Sequence, residues 1–304
     1  MLEEIKSKYI LQHIFNIICE RKMLQLIKHN KNDQEKLEIS EIDYRKFTQI
    51  EIEIKLLQLD KFEENKFIFI NLKEDQSFYH IYFDNNKEEI KRTFVKRLER
   101  ISIIKIVLEM EIKSLMGLFH DCICIQKIKI IKFNRNDIIN LSSLFDNCIG
   151  LTDIDLRELK TKNVIDMSHM FYNCSSLKQL DLSQFITKNV IDMNNMFSWC
   201  GELTEINFKN IYTEKVTNMQ QMFYMCGSLT ELDISNFNFD RVTTMKLMFA
   251  KCESLNNLKI PIINFNRNVD ISGMFLDCTD EFKENIKAEN KTIKEEAFSL
   301  QINS

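Results

Sequence analysis

The sequence has 304 residues, of which 44% are hydrophobic and 28% charged, with a net charge of −4. That balance fits a folded globular chain of one large or two modest domains. It sets aside bulk nucleic-acid binding and, with five Gly and one Pro, any collagen-like or Pro-rich segment.

The amino-terminal apolar run, Ile14 to Cys19, is interrupted by Asn16 and followed at once by Glu20, Arg21 and Lys22. No small-residue cleavage site follows, and no run reaches the roughly 18 apolar residues of a membrane span. The expectation is therefore a cytoplasmic protein with no signal peptide and no transmembrane segment. Its nine Cys stay reduced there.

Taken in order, residues 1–100 read as a mainly helical α+β cap. Ile10, Ile14, Phe15 and Ile18, then Met23, Leu24 and Ile27, fall at three- and four-residue spacings, as on amphipathic helices. Ile42, Phe47, Ile50, Ile54 and Leu57 continue a looser helical pattern. Residues 67–83, rich in Phe, Tyr and Ile around Lys73-Glu-Asp-Gln76, suggest a β-hairpin. A short helix is expected over 85–99, and Ile101 to Val107 reads as the first, irregular strand of a solenoid.

From there the chain repeats. Phe stands at 119, 145, 171, 197, 223, 249 and 275, and Cys three residues after each, at a constant step of 26. A fixed period of this length is the signature of a solenoid. Residues 101–281 are thus expected to form seven 26-residue coils, with 282–304 as a polar cap or tail.

In six of the coils a polar residue (Asn140, Asp166, Asp192, Asn218, Thr244, Asp270) precedes a Met-x-x-Met-Phe-x-x-Cys phrase, with Leu141, Leu144 and Ile271 standing in for Met. Met167, Met170, Phe171 and Cys174 lie at i, i+3, i+4 and i+7, which predicts a short helix capped at its start and buried on one face. The period then changes: Leu180 and Leu182, with counterparts such as Leu232 and Ile234, alternate as in a strand. Strands pair about 4.8 Å apart and helices about 8–10 Å, so the stack is expected to curve with its strands inside.

The pattern Leu-x-x-Leu-Asp-Leu-Ser-x-Phe-x-Thr-x-x-Val-x-x-Met-x-x-Met-Phe-x-x-Cys, read at Leu177–Cys200, resembles the BspA-like leucine-rich repeat of bacterial surface lipoproteins and protist proteins. The resemblance implies an α/β fold: a right-handed leucine-rich-repeat solenoid with a curved parallel sheet inside, short helices outside, and use in protein binding.

The buried ladder is expected to be Phe145, Cys148, Phe171, Cys174, Phe197, Cys200, Phe223, Cys226, Phe249 and Cys252. A 26-residue spacing is not that of zinc ligand pairs, so the Cys read as small core residues and no metal or cofactor is expected. No catalytic constellation is found: the five His share no column, and no phosphate-cradling loop or nucleophile elbow occurs.

Candidate binding residues are the outward strand positions Asp153, Asp155, Gln179, Asp181, Glu205, Asn207, Glu231 and Asp233. This face is acidic at its centre with Lys127, Lys129 and Lys259 at its ends, which suits a basic protein partner and repels nucleic acid. Lys162, Lys188, Lys215, Arg241 and Arg267 form a second column, read as a solvated edge.

The chain thus reads as a non-enzymatic protein-interaction scaffold. An alternative is an F-box-like substrate adaptor of a ubiquitin ligase, since Ile10-Leu-Gln-His-Ile14-Phe15 followed by a second apolar stretch is similar to an F-box start. A second alternative is a BspA-type surface adhesin.

Overall fold

The computed structural model describes residues 48–84, 86–261, 269–289 and 293–299. The amphipathic segments before residue 48, and with them the F-box-like phrase, lie outside the described residues, as does Arg267.

Before the repeats, the described chain is built from strands. Ile50, Ile52 and Ile54 are buried while Glu51 and Glu53 point away, so Ile50–Leu56 is strand β1. Its helical look came from Ile50 and Ile54 alone; Ile52 between them sets a period of two. β2 (Lys66–Ile68) pairs antiparallel with β4 (Phe94–Lys96). β3 (Tyr79–Phe83) pairs antiparallel with β5 (Ile104–Leu108). The expected hairpin over 67–83 is therefore absent, because its two halves find different partners. The helix expected over 85–99 is replaced by β4, whose Val95 is buried. β5 does not pair with a strand of the repeats. It lies between β3 and β1, antiparallel to both.

The joint between the two parts is β6 (Ile125–Phe133), antiparallel to β1 on one side and parallel to β7 (Asp153–Asp155) on the other. The resulting sheet has the order β3-β5-β1-β6-β7. Gly150 is needed where the chain turns toward β7. A Cβ there would sit 2.5 Å from both the Ile123 carbonyl oxygen and Leu57 Cδ1.

The later coils contribute β8 (Gln179–Asp181), β9 (Glu205–Asn207), β10 (Glu231–Asp233) and β11 (Asn257–Lys259). β8 and β9 pair in parallel, as do β10 and β11.

The Met-x-x-Met-Phe-x-x-Cys phrase is not helical. It is a run of tight turns. In one coil, Leu144, Asp146 and Cys148 N–H groups donate to carbonyls three residues back, at 3.1–3.2 Å. The alternate donors, Leu141, Ser143, Phe145 and Asn147, reach carbonyls of the next coil at Asp166, Ser168, Met170 and Tyr172 (2.7–3.0 Å). Half of the donors in the run are thus spent between coils, which an α-helix could not do. The first and third of these turns each hold a left-handed residue, hence φ of +53° at Ser143, +60° at Asn147, +54° at His169 and +50° at Asn173, two columns that continue through Leu247 and Trp199 respectively. Two successive four-residue turns give the same i, i+3, i+4, i+7 burial as a helix, which is why the spacing misleads.

The polar residue before each phrase does cap, but as an Asx-type turn. Asp166 Oδ1 accepts from Ser168 N–H at 2.9 Å and Asp192 Oδ1 from Asn194 N–H at 2.8 Å. These residues also bridge one another in parallel from Asn140 to Asp270. Coils are thus hydrogen-bonded to each other on the turn side, where side-chain packing between helices was expected, as well as at the paired strands.

All ten ladder residues from Phe145 to Cys252 are buried. Successive Phe rings stack with centroids 5.4–5.8 Å apart from Phe119 to Phe275. The Cys do more than fill space. Each thiol donates to the Phe carbonyl of the preceding coil, as Cys174 Sγ does to Phe145 O at 3.2 Å and Cys200 Sγ to Phe171 O at 3.0 Å. Phe145 O also accepts from Cys148 N–H, so both lone pairs are occupied. Burial pushes the Cys200 thiol up to about 12 and Cys174 and Cys226 well above their ordinary value. Cys122 and Cys124 donate to different carbonyls, those of His120 and Ile68.

A third ladder lines the return loop. Thr161, Thr187 and Thr213 are buried, and each hydroxyl donates to a carbonyl of the next coil (Ile186, Tyr212 and Asn238) while accepting that residue's N–H.

At the carboxyl end α1 (Asp280–Glu289) buries Phe282 and Ile286. The segment around Glu295–Phe298 then imitates an eighth coil. Gly273 and Phe275 N–H donate to Glu296 and Ala297 carbonyls, and Phe298 stacks on Phe275 at 5.7 Å.

Candidate functional site

The strand face is built by alternation. Ile154, Leu180, Ile206, Leu232 and Leu258 turn toward the core, and the residues either side of each turn outward. This brings the eight candidate residues onto one face in two columns. The structure gives the two columns different jobs.

In the second column the side chain closes the turn that ends each strand. Asp155, Asp181, Asn207 and Asp233 each accept from the N–H two residues on, at 2.9–3.2 Å. Hydrogen bonds hold these carboxyls below the usual carboxylate range: from the Arg157 side chain at Asp155, chiefly from the Ser183 backbone N–H at Asp181, and from the Ser235 hydroxyl and N–H at Asp233. Arg157 also pairs with Asp155 at 2.7 Å and Lys259 with Asp233 at 3.4 Å. Part of the acidity in this column therefore serves the fold.

In the first column the charges are paired only at the amino-terminal end, where Lys127 meets Asp153 at 3.0 Å. Gln179 Nε2 donates to Glu205 at 3.2 Å, and among the described residues no cation pairs with Glu205 or Glu231.

The charges across paired and unpaired strands differ. β6–β7 places Lys127 opposite Asp153 and Lys129 opposite Asp155. β8–β9 places Gln179 opposite Glu205 and Asp181 opposite Asn207; β10–β11 places Glu231 opposite Asn257 and Asp233 opposite Lys259. The two junctions without a ladder are β7|β8 and β9|β10. By the 26-residue offset these set Asp155 against Asp181 and Glu205 against Glu231. Like charges directly opposite destabilise a strand pair, and both open junctions carry such a pair. A shallow groove lies over the second of them, lined by Glu205, Ile206, Glu231, Leu232, Asp233 and Lys259.

What the sequence does not show is that this face continues into the first part of the chain. Lys105 pairs with Glu51 at 2.7 Å on the same sheet that carries β6 and β7, and Glu53 lies opposite both Lys105 and Lys129. The alternation Ile50-x-Ile52-x-Ile54 was the available signal. Signs alternate from strand to strand there, so that half of the face neutralises itself and the uncompensated acidity is confined to β8–β10. In the second basic column, Lys188 lies over the Tyr212 ring at 4.8 Å and Lys215 bonds Asn189 at 2.8 Å, both exposed.

No helix among the described residues is long and apolar enough to cross a membrane. A comparison with curated proteins returns no match. Among solved structures, a crystal structure of the T. pallidum leucine-rich repeat protein (TpLRR) is similar over 61% of this chain and 78% of that one, at 16% identity and a TM-score of 0.37, a likeness on which nothing further rests. A family described as "Mycoplasma protein of unknown function, DUF285" matches residues 113–211 and 200–300, which together take in the repeats and more than half of the sequence. The chain belongs to that family.

Proposed function

We propose that the chain is a non-enzymatic repeat scaffold that binds a protein partner on the strand face, and that the contact centres on Glu205 and Glu231. The motif at Leu177–Cys200, similar to the BspA-like leucine-rich repeat, supports a protein-binding role. The observation that carries the reading is the open β9|β10 junction, where Glu205 and Glu231 line one groove and neither pairs with a cation among the described residues, Lys259 in that groove being paired with Asp233. A Lys or Arg side chain inserted there would relieve the repulsion that keeps the junction open. The partner is therefore basic at its point of contact, and association is salt-sensitive. Eight free cysteines among the described residues suit a reducing compartment and support the cytoplasmic location.

The test is affinity purification from native lysate with the wild-type chain and with Glu205→Lys/Glu231→Lys, followed by crosslinking mass spectrometry. Recovery of a partner crosslinked through a basic segment to β8–β10, and its loss in the double variant, is the expected result. Undiminished recovery by the double variant would refute the site.

A further inference from the structure

The turn side of the central coils differs from the rest of the surface. Met167–Leu177, Met193–Gly201 and Met219–Leu229 contain no Lys, Arg, Asp or Glu, in a chain that is 28% charged. The flanking coils do not share this: Asp146 precedes the stretch, and Lys246, Lys251 and Glu253 follow it.

Rings and amides stand where charge would be expected. Trp199, the single Trp of the chain, is 43% exposed. Its turn holds it at φ +65°, its N–H donates to Tyr224 O at 2.7 Å, and its ring meets the Tyr224 ring edge-on at 6.2 Å. One coil earlier, Tyr172 lies 5.4 Å from His169. Gly201 and Gly227 follow two residues after Trp199 and Met225, and a Cβ on either would meet nothing within 4 Å, so the surface is open at both positions. Asn173, in the same column as Trp199 one coil back, donates to Asn147 at 2.6 Å, and Asn195 donates to Asn194 at 3.0 Å.

An exposed apolar patch marks a contact surface, and Trp and Tyr give rigid amphipathic contact at small conformational cost. The patch itself carries no charge, and Glu202 at its border pairs with Lys178 at 3.7 Å, so it suits an ionic ligand poorly, while a wholly apolar partner would strand its amides. A pyranose ring meets both conditions. Its C–H face packs on an aromatic ring, and its paired hydroxyls match an amide, which presents donor and acceptor side by side. We propose that this face binds a neutral oligosaccharide, stacked on Trp199 and Tyr224 and hydrogen-bonded by the amides of Asn173 and Asn195. The site is separate from the strand face and takes a different ligand class.

The single Trp makes the test direct. The full chain is titrated with cellohexaose and, separately, chitohexaose, following Trp emission and heat of binding; the two arms distinguish plain from N-acetylated sugars. The expected result is a saturable emission change with at least one of them. Trp199→Ala and Tyr224→Ala should each weaken Kd by about tenfold or more by calorimetry, while Trp199→Phe weakens it less. Glu205→Lys/Glu231→Lys should bind the sugar as wild type does, which separates this site from the protein-binding reading. Circular dichroism checks the variants, and if Trp199→Ala does not fold, Tyr224→Ala and Trp199→Phe decide. No saturable change with either sugar at millimolar concentration overturns the proposal. So does an unchanged Kd in the folded ring variants, or loss of a captured protein in Trp199→Ala when neither sugar binds, which would make the patch a protein contact.

Discussion

Glu231→Lys should close the β9|β10 junction. The substitution turns a like pair, Glu205 and Glu231, into an opposite pair, and it leaves Asn257 opposite the new side chain on the other flank. Removing the repulsion and adding the attraction are each worth about 0.2–1 kcal/mol. The closed junctions show what would form. At β8–β9, Thr204 and Glu205 N–H donate to Lys178 O and Leu182 N–H to Asn207 O; at β10–β11, Asn256 and Asn257 N–H donate to Thr230 O and Ile234 N–H to Lys259 O. The equivalent new donors are Thr230 and Phe208, whose bonds add about 0.5–1.5 kcal/mol each. The total is roughly 1.5–5 kcal/mol at low salt, a rise of several degrees in Tm, smaller at high salt. Amide hydrogen exchange followed residue by residue is the assay. Thr230 and Phe208 should slow, while Lys178 and Leu156, their counterparts at the unaltered β7|β8 junction, should not. If Thr230 and Phe208 exchange as before, charge does not keep this junction open. If all four slow together, the effect is a general stabilisation and the pairwise reasoning fails.

Three further outcomes rest on the packing. Phe223→Ala removes a fully buried ring stacked between Phe197 and Phe249, and should cost about 3–5 kcal/mol by urea denaturation; a loss comparable to that of an exposed control would contradict the ladder. The thiols of Cys174, Cys200, Cys226 and Cys252, buried and hydrogen-bonded, should react with a small labelling reagent only as fast as the chain unfolds, and rapid native labelling would refute their placement. Asp137 is held down to about 2: its partial burial favours the neutral acid, but hydrogen bonds from Arg135 and Lys113 outweigh that. Because the folded value is depressed, its contribution is complete above the ordinary carboxylate value near 4 and fades as pH falls toward 2; at most roughly 2 kcal/mol is at stake, and the urea midpoint of Asp137→Asn should depend less on pH between 4.5 and 2.5, so parallel profiles would count against it.

The repeats were legible because their burial pattern is periodic, and any backbone that returns Phe and Cys to the core every 26 residues satisfies it. The same pattern could not distinguish a helix from a chain of turns. That distinction lies in where the backbone donors go, and spacing records only side chains. A partial clue was the residues at several outward positions: Ser142-Ser143, Asn194-Asn195 and Gly273 suit turns better than helices, although Gln220-Gln221 and Lys246-Leu247 do not. The Thr161, Thr187 and Thr213 ladder was visible as a column, but its inter-coil hydroxyl bonds were not. In the amino-terminal sheet the strands β1, β5 and β6 come from distant parts of the chain, and no local pattern shows that they meet. Of the candidate site, the outward columns follow from alternation; the capping duty of Asp155, Asp181 and Asp233 and the open junctions depend on geometry between coils.

The Phe and Cys ladders lie in the turn run and the Thr ladder in the return loop, yet all three share one offset. Gaining or losing a single residue within a coil would slide at least one of them out of alignment, leaving a thiol or hydroxyl facing the wrong carbonyl. Removing or duplicating a whole 26-residue unit disturbs none. Such a gene can drift in length by recombination between its own repeats, in steps of one coil, with the Phe298 segment carried along intact. The acidic face and the uncharged aromatic patch both lie in the interior coils, so each such step would lengthen or shorten a proposed binding surface without changing the architecture that holds it.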